Sequence, residues 1–486
     1  MKKTKIIATL GPEMLDQNQI DELLCAGVDV VRLDYAQRVP EQHASIAKQV
    51  RSSAQKLGKF VGILVDIPGT KVQISEFENG HIELKQDSIF NLDGTLDSKL
   101  GNQNTVGLDY PQLLNELELG SILLLDCGRI QLQVILLDRV NQFAKTKVLA
   151  GGRLNSHQSI SVLGKEILYP SLTESDWQGI EFAASIDAEF IALTLPPETS
   201  ELQQLSQVLE NTGFTTQLIA KFDHSRFDHD LSTIEPVLSA TEVCMIENLD
   251  FVDDILDQYA ASLEHPLLMR ARELNKPIVA ASPVMSSMAA RLLPTRTEAL
   301  KLANLVIAGT DAVMLCPTVT NGPYMIDAVK AMVNVISSVE AVVECFEHQK
   351  DTTQPMDASC SKNFAISTVL SISKTQRYVG VAVITHNGEA PLLMSRCQSH
   401  VPIWALSDNV KLLSSLSILR GVEPTYAVIE AHDSRDTTDS IVRLLEPEIH
   451  RNHSQSLIIS CFESLEKVGT TNVSRLVPIA PTEITT

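Results

Sequence analysis

The 486-residue sequence has no excess of positive charge: 39 lysines and arginines face 60 aspartates and glutamates, leaving a net charge of −21. The acidic residues are spread rather than blocked, and solubility is the plain reading of them. The balance argues against nucleic acid and anionic membrane surfaces as partners, because both need a basic face. No apolar run approaches the roughly 18 residues of a membrane span. Met1-Lys2-Lys3-Thr4-Lys5 is basic, but the apolar stretch behind it stops at Gly11-Pro12. It is expected to be a first strand rather than a secretory signal. The eight cysteines, at 25, 127, 244, 316, 345, 360, 397 and 461, stand singly. Without a Cys-x-x-Cys pair, neither zinc nor a disulfide framework is suggested, and a reducing cytoplasm is the expected compartment. Internal repeats and low-complexity tracts are also missing.

What is present is a regular alternation. The length is too great for one core and predicts about two to four domains. Eight short apolar runs recur: Lys5–Thr9, Val28–Leu33, Phe60–Asp66, Phe190–Leu195, Gln217–Phe222, Glu242–Ile246, Pro277–Ala281 and Asp311–Leu315. Amphipathic stretches such as Ile20–Ala26, Ser175–Ala184 and Thr297–Ile307 lie between them. Near-continuous apolar strands separated by helices predict a parallel sheet covered on its outer face, here a (β/α)8 TIM barrel over 1–69 and 166–345. The interval from Gly69 to Glu189 is too long for one connection. Period-two patterns at His81–Lys85, Ile122–Asp126 and Ile130–Leu136 predict a small β-barrel lid domain inserted at 70–165. Met332–Cys345 reads as a helix, and polar Glu347–Lys362, with Pro355, as a linker. Residues 363–486 predict a C-terminal doubly wound α/β domain, with strands at Val381–Ile384, Ile403–Leu406, Tyr426–Ile429, Leu457–Ser460 and Leu476–Ile479.

In a barrel of this kind, catalytic groups sit at the C-terminal ends of strands. Those tips carry Gly11-Pro12, Arg32 and Asp34, Asp66, Thr194, Lys221 and Asp223, Glu247 to Asp250, Ser282 and Cys316. Two cations, several carboxylates and a hydroxyl suit an anionic substrate with a divalent metal, although each charged tip alone could equally be a solvated loop end. The run Gly309–Leu315 is an intact buried strand, yet the loop it feeds, Cys316-Pro317-Thr318-Val319, holds no ionisable group except a thiol.

The segments Lys3–Pro12, Gly27–Leu33, Asp66-Ile67-Pro68-Gly69-Thr70-Lys71-Val72, Leu172–Asp176, Pro294–Glu298, Gly309–Leu315 and Val468–Asn472 resemble the pyruvate kinase family over essentially the whole chain. The hairpin Leu123–Arg129 is similar to that of a bacterial branch of it. The resemblance implies phosphoryl transfer from phosphoenolpyruvate to ADP, with Mg2+, often K+, and a tetramer. Lys221 matches the central catalytic lysine, Arg32 the phosphate-facing arginine, and Ser282 a threonine that relays a proton to the enolate. Asp223 stands for a metal-binding glutamate. Asp66 and Asp250 are the other metal candidates, and Arg32, Asp34 and Lys71 those for the nucleotide and monovalent cation. Lys71 stands where potassium-dependent members carry glutamate, so K+ is not expected.

The departures are concentrated at the tips. In Ile246–Phe251 the second metal carboxylate becomes Leu249, an arginine becomes Glu247 and a glycine becomes Asn248. Asp34-Tyr35-Ala36-Gln37 replaces a nucleotide-side motif, Gln73 an arginine, Gln158 a lysine and Val319 a glutamate. In the C-terminal loop Thr385–Ala390, Glu389 would repel the phosphate of an effector. The expectation is a weakened Mg2+ site and weak or absent activity, as a pseudoenzyme or regulatory paralogue. Two alternatives stay open: an active, potassium-independent pyruvate kinase with an altered Mg2+ site, and a different activity on the same barrel. Phosphoenolpyruvate and ADP are the implied ligands, and a homo-oligomer or a hetero-assembly with an active paralogue the implied assembly.

Overall fold

Each of the eight apolar runs forms a strand, and the strands close on themselves. The computed structural model describes residues 2–10, 16–37, 40–69, 72–126, 128–163, 172–194, 205, 209, 216–222, 231–247, 267–320, 322–347, 378–397, 401–428, 434–447, 455–461 and 473–479. The barrel strands are Lys5–Thr9, Val30–Asp34, Gly62–Asp66, Phe190–Leu193, Gln217–Phe222, Val243–Glu247, Ile278–Val284 and Ala312–Leu315, all parallel and in sequence order around the barrel. They are called the first to eighth strands below.

Strict alternation sorts their side chains. Ile7, Val30, Leu64, Ala192, Ile219, Met245, Ala281 and Met314 form one apolar cluster. Their neighbours Ile6, Val31, Ile63, Ile191, Ala220, Ile246, Ala280 and Val313 join a second cluster with the helix residues Ile20, Leu23, Ile46, Val50, Leu302 and Leu305. Successive strand residues face opposite sides, so the first set fills the barrel and the second packs under the helices. Two helices, Glu174–Ser185 and Arg296–Ile307, begin with capping boxes, Thr173 with Asp176 and Thr295 with Glu298. Each pair satisfies backbone N–H groups that the first turn leaves without partners.

The inserted segment builds a two-stranded ribbon, His81–Leu84 with Gly152–Asn155, and a six-stranded sheet around its own core, which includes Phe77, Phe90, Leu123, Leu132 and Val148. The C-terminal domain is a five-stranded sheet in the order Val422–Tyr426, Ile403–Ser407, Tyr378–Ile384, Gln455–Cys461 and Val473–Ile479. Only the last strand runs antiparallel. Here the expectation of a strand at Tyr426–Ile429 is corrected to Val422–Tyr426. Pro424 disguised it, but on an edge strand a proline costs no ladder bond. The second barrel strand likewise starts at Val30 rather than Val28, because the Val28 N–H still donates to Leu23 O at the end of the preceding helix.

The C-terminal domain seals the lower mouth of the barrel. Val381, Val383, Met394, Leu416 and Ile418 belong to the same apolar cluster as the barrel interior. At the bottom of the third strand, the Gly62 N–H donates to Ser417 Oγ at 3.1 Å. A Cβ at Gly62 would lie 2.7 Å from the Phe190 ring and 2.9 Å from that hydroxyl. Asp311, fully buried, accepts from Arg396 Nη1 at 2.7 Å and the Arg420 N–H at 3.1 Å. Buried Lys5 donates to Glu423 at 3.0 Å. The open end of the barrel is therefore the C-terminal end of its strands.

Candidate active site

The alternation that fills the barrel also selects what lines its upper bowl. Continuing each inward-facing series by one step, Ile7 leads to Thr9, Val30 to Arg32, Leu64 to Asp66, Ala192 to Thr194, Ile219 to Lys221 and Met245 to Glu247. Four of these six side chains are ionisable, and three form one connected cluster. Lys221, on the fifth strand, reaches past the fourth strand to the third. Its ammonium donates to Asp66 Oδ1 at 2.8 Å and to the Ile67 carbonyl at 2.7 Å. Arg32 donates through Nε to Asp66 Oδ2 at 2.6 Å, through Nη1 to Thr9 Oγ1 at 3.0 Å and through Nη2 to Asp34 Oδ2 at 3.3 Å.

The cluster is buried, with side-chain exposures of 3% for Lys221, 5% for Asp66 and 11% for Arg32. Burial alone would push the Asp66 carboxyl up, but the charges of Lys221 and Arg32 and their hydrogen bonds more than reverse this, and its pKa falls from 3.8 to about 2. Burial likewise opposes the Arg32 charge, yet Asp66, Asp34 and Glu247 keep its pKa above the ordinary arginine value. Glu247 Oε1 stands 4.0 Å from the Lys221 ammonium.

Ser282 is fully buried at an irregularity in the seventh strand, whose pairing with the eighth shifts register between Ala280 and Val284. Gly69, at φ +67°, brings the loop after the third strand against Thr194, 3.4 Å from where a Cβ would stand. Two of the positions expected to depart from the family pattern, Val319 and Gln158, make structural contacts. Val319 is fully buried on the short helix Pro317–Thr320 and belongs to the core beneath the helices. Gln158 Nε2 donates to Asp126 Oδ1 at 3.2 Å, inside the inserted β segment. Lys71, Asp223, Leu249, Asp250 and the Val468–Asn472 segment lie outside the described residues.

The sequence profile of the pyruvate kinase barrel domain matches residues 1–329. The chain belongs to the pyruvate kinase family. The profile of the pyruvate kinase alpha/beta domain matches residues 364–477. The pyruvate kinase of Buchnera aphidicola subsp. Schizaphis graminum is 32% identical over 481 residues, 99% of either chain. That of Haemophilus influenzae is 33% identical over 428 residues, 88% of either chain. Pyruvate kinase II of Salmonella typhimurium is 30% identical over 487 residues, again 99% of either chain.

Membership brings Mg2+ into question. Of its three candidate carboxylates only Asp66 is described, and both of its oxygens already accept from Lys221 and Arg32. A divalent ion at Asp66 would have to approach against the charge of two buried cations, Arg32 and Lys221. Among the described residues, no three His, Cys, Asp or Glu side chains converge to hold a metal. The described part of the bowl is thus built around an internal ion cluster, in which Asp66 is the one described member of the three candidate metal carboxylates. Sequence reasoning did not find Thr9 and the Ile67 carbonyl as partners of the two cations, nor the contact of Glu247 with Lys221. The period-two series through Ile7 and Met245 marks the two side chains; no sequence signal marks the carbonyl.

Proposed function

We propose that this chain takes a small phosphorylated carboxylate of the phosphoenolpyruvate kind into the bowl, and that its phosphoryl transfer to ADP is weak or absent. The observation that carries this reading is the charge of the bowl: two cations, Arg32 and Lys221, against three carboxylates, Asp34, Asp66 and Glu247. Arg32 and Lys221 are the groups that receive phosphoryl and enolate oxygens, and the Ser282 hydroxyl is the proton donor to the enolate carbon. Both cations already share Asp66, so an entering anion competes with a buried carboxylate. Each lost charge-stabilising contact at such a site costs about 2–4 kcal/mol in the transition state. With Glu247, Gln73 and Gln158 in place of basic residues, the ceiling on the rate loss is on the order of 10⁴-fold or more, and these terms are not additive.

A coupled assay with phosphoenolpyruvate, ADP and Mg2+ tests this. Turnover at least about a thousandfold below the ~10 s⁻¹ of an ordinary enzyme is expected. Turnover near that value overturns the reading in favour of an active, potassium-independent pyruvate kinase. The observation on that side is the retained cluster of Arg32, Asp66 and Lys221, held in fixed geometry. A regulatory subunit that co-assembles with an active paralogue in the cytoplasm, or a homo-oligomer such as a tetramer, belongs to the same proposal.

A further inference from the structure

The Lys221 ammonium has three N–H bonds. Two of them go to Asp66 Oδ1 and the Ile67 carbonyl. Its remaining flank faces Glu247, on the neighbouring sixth strand, where Lys221 pairs with Met245 and Glu247 with Ala281. Exposure separates the members of this group: Lys221 is 3% exposed, Asp66 5% and Arg32 11%, while Glu247 is 34% exposed. The cations lie at the floor and the Glu247 carboxylate at the lip. Its partner on the seventh strand is a small residue, Ala281. Glu247 also counts among the carboxylates that raise the Arg32 pKa, so its field reaches both cations.

We propose that Glu247 is a specificity-determining residue that screens the bowl against free dianions: its carboxylate stands on the solvent side of Lys221 and repels a phosphate group before it reaches the two cations. This rests on the reading of the bowl as a phosphate-accepting site and accounts for its weakness through one side chain. At 4.0 Å from the ammonium, Glu247 opposes a second anion at close range, where charge pairs at a partly buried site interact strongly. The screening is a matter of charge and not of space. An uncharged side chain of the same shape removes it.

The test is calorimetric titration of the full chain with inorganic phosphate in the absence of divalent cations. Glu247→Gln is expected to bind phosphate about tenfold more tightly than the wild type or more, and Glu247→Asp, which keeps the charge, to show much less gain. Adding Lys221→Ala to Glu247→Gln should remove the gain. Equal phosphate affinity in wild type and a folded Glu247→Gln overturns the proposal, as does a gain that survives loss of Lys221. Glu247→Arg offers a second reading of the same charge effect and should bind more tightly still. The turnover assay is independent of these outcomes. Fast turnover of phosphoenolpyruvate would sink the proposed function and leave the phosphate comparison standing, whereas a flat phosphate comparison in an inactive protein would sink only the role of Glu247.

Discussion

Replacing Asp66 by Asn removes one negative charge from between two buried cations while nearly preserving shape. Its consequence can be worked from the structure. The Asp66 carboxyl is held at about 2, against 3.8 without the fold. At ~1.4 kcal/mol per pKa unit, ionised Asp66 contributes roughly 2 kcal/mol to folding. Removing it also leaves Lys221 and Arg32 facing each other, and breaking a buried ion pair by removing one partner typically costs about 3–5 kcal/mol. The expected loss is therefore about 3 kcal/mol, a fall of at least ~5 °C in the thermal midpoint of the barrel. The sign of the pH dependence follows from the depressed pKa. Asp66 is ionised in both folded and unfolded chains above its unfolded value of 3.8, so its contribution is complete there and is lost only as pH falls through about 2. Thermal unfolding of wild type and Asp66→Asn, followed by circular dichroism, should differ by a constant amount from about pH 5 to pH 8. An unchanged midpoint, or a difference that vanishes already near neutral pH, would refute the buried ion cluster.

Two further outcomes concern the seal between the barrel and the C-terminal domain. Arg396→Ala leaves Asp311 buried without its principal cation and should cost about 3–5 kcal/mol, seen as a lower unfolding midpoint and faster proteolysis of the C-terminal domain. Gly62→Ala places a Cβ 2.7 Å from the Phe190 ring and 2.9 Å from Ser417 Oγ, and overpacking of that kind should destabilise by about 1–3 kcal/mol by the same assays.

Much of the barrel was legible because its strands obey two rules at once. They are apolar on both faces, which made them visible as runs, and they alternate, which sends every second residue into the bowl. Arg32, Asp66 and Lys221 could be picked out as tips for that reason. Their mutual contacts could not. Lys221 meets Asp66 across 155 residues of sequence and past an intervening strand, and no local periodicity encodes such a meeting. The edge strand Val422–Tyr426 was hidden for the opposite reason: its proline is a local signal against a strand, overridden by its place at the edge of the sheet.

The motifs that made the family recognisable turn out to be joints. Thr173 with Asp176 and Thr295 with Glu298 start helices. Glu298 also accepts from the Ser287 N–H at 2.7 Å, tying the turn after the seventh strand to the helix Arg296–Ile307 that follows it. Asp311, inside the Gly309–Leu315 run, is the carboxylate on which Arg396 of the C-terminal domain closes. Asp176 and Asp311 are buried, and breaking their pairings would leave polar or charged groups without partners, which is costly. Such residues resist change for reasons of folding whether or not the molecule catalyses anything. Glu247, at the lip of the bowl, is 34% exposed and less deeply committed to the core than these joints. An intact set of joints is thus strong testimony about the fold and none about turnover. The weak turnover proposed for this chain is therefore a matter of the charge at the lip, where Glu247 stands 4.0 Å from Lys221.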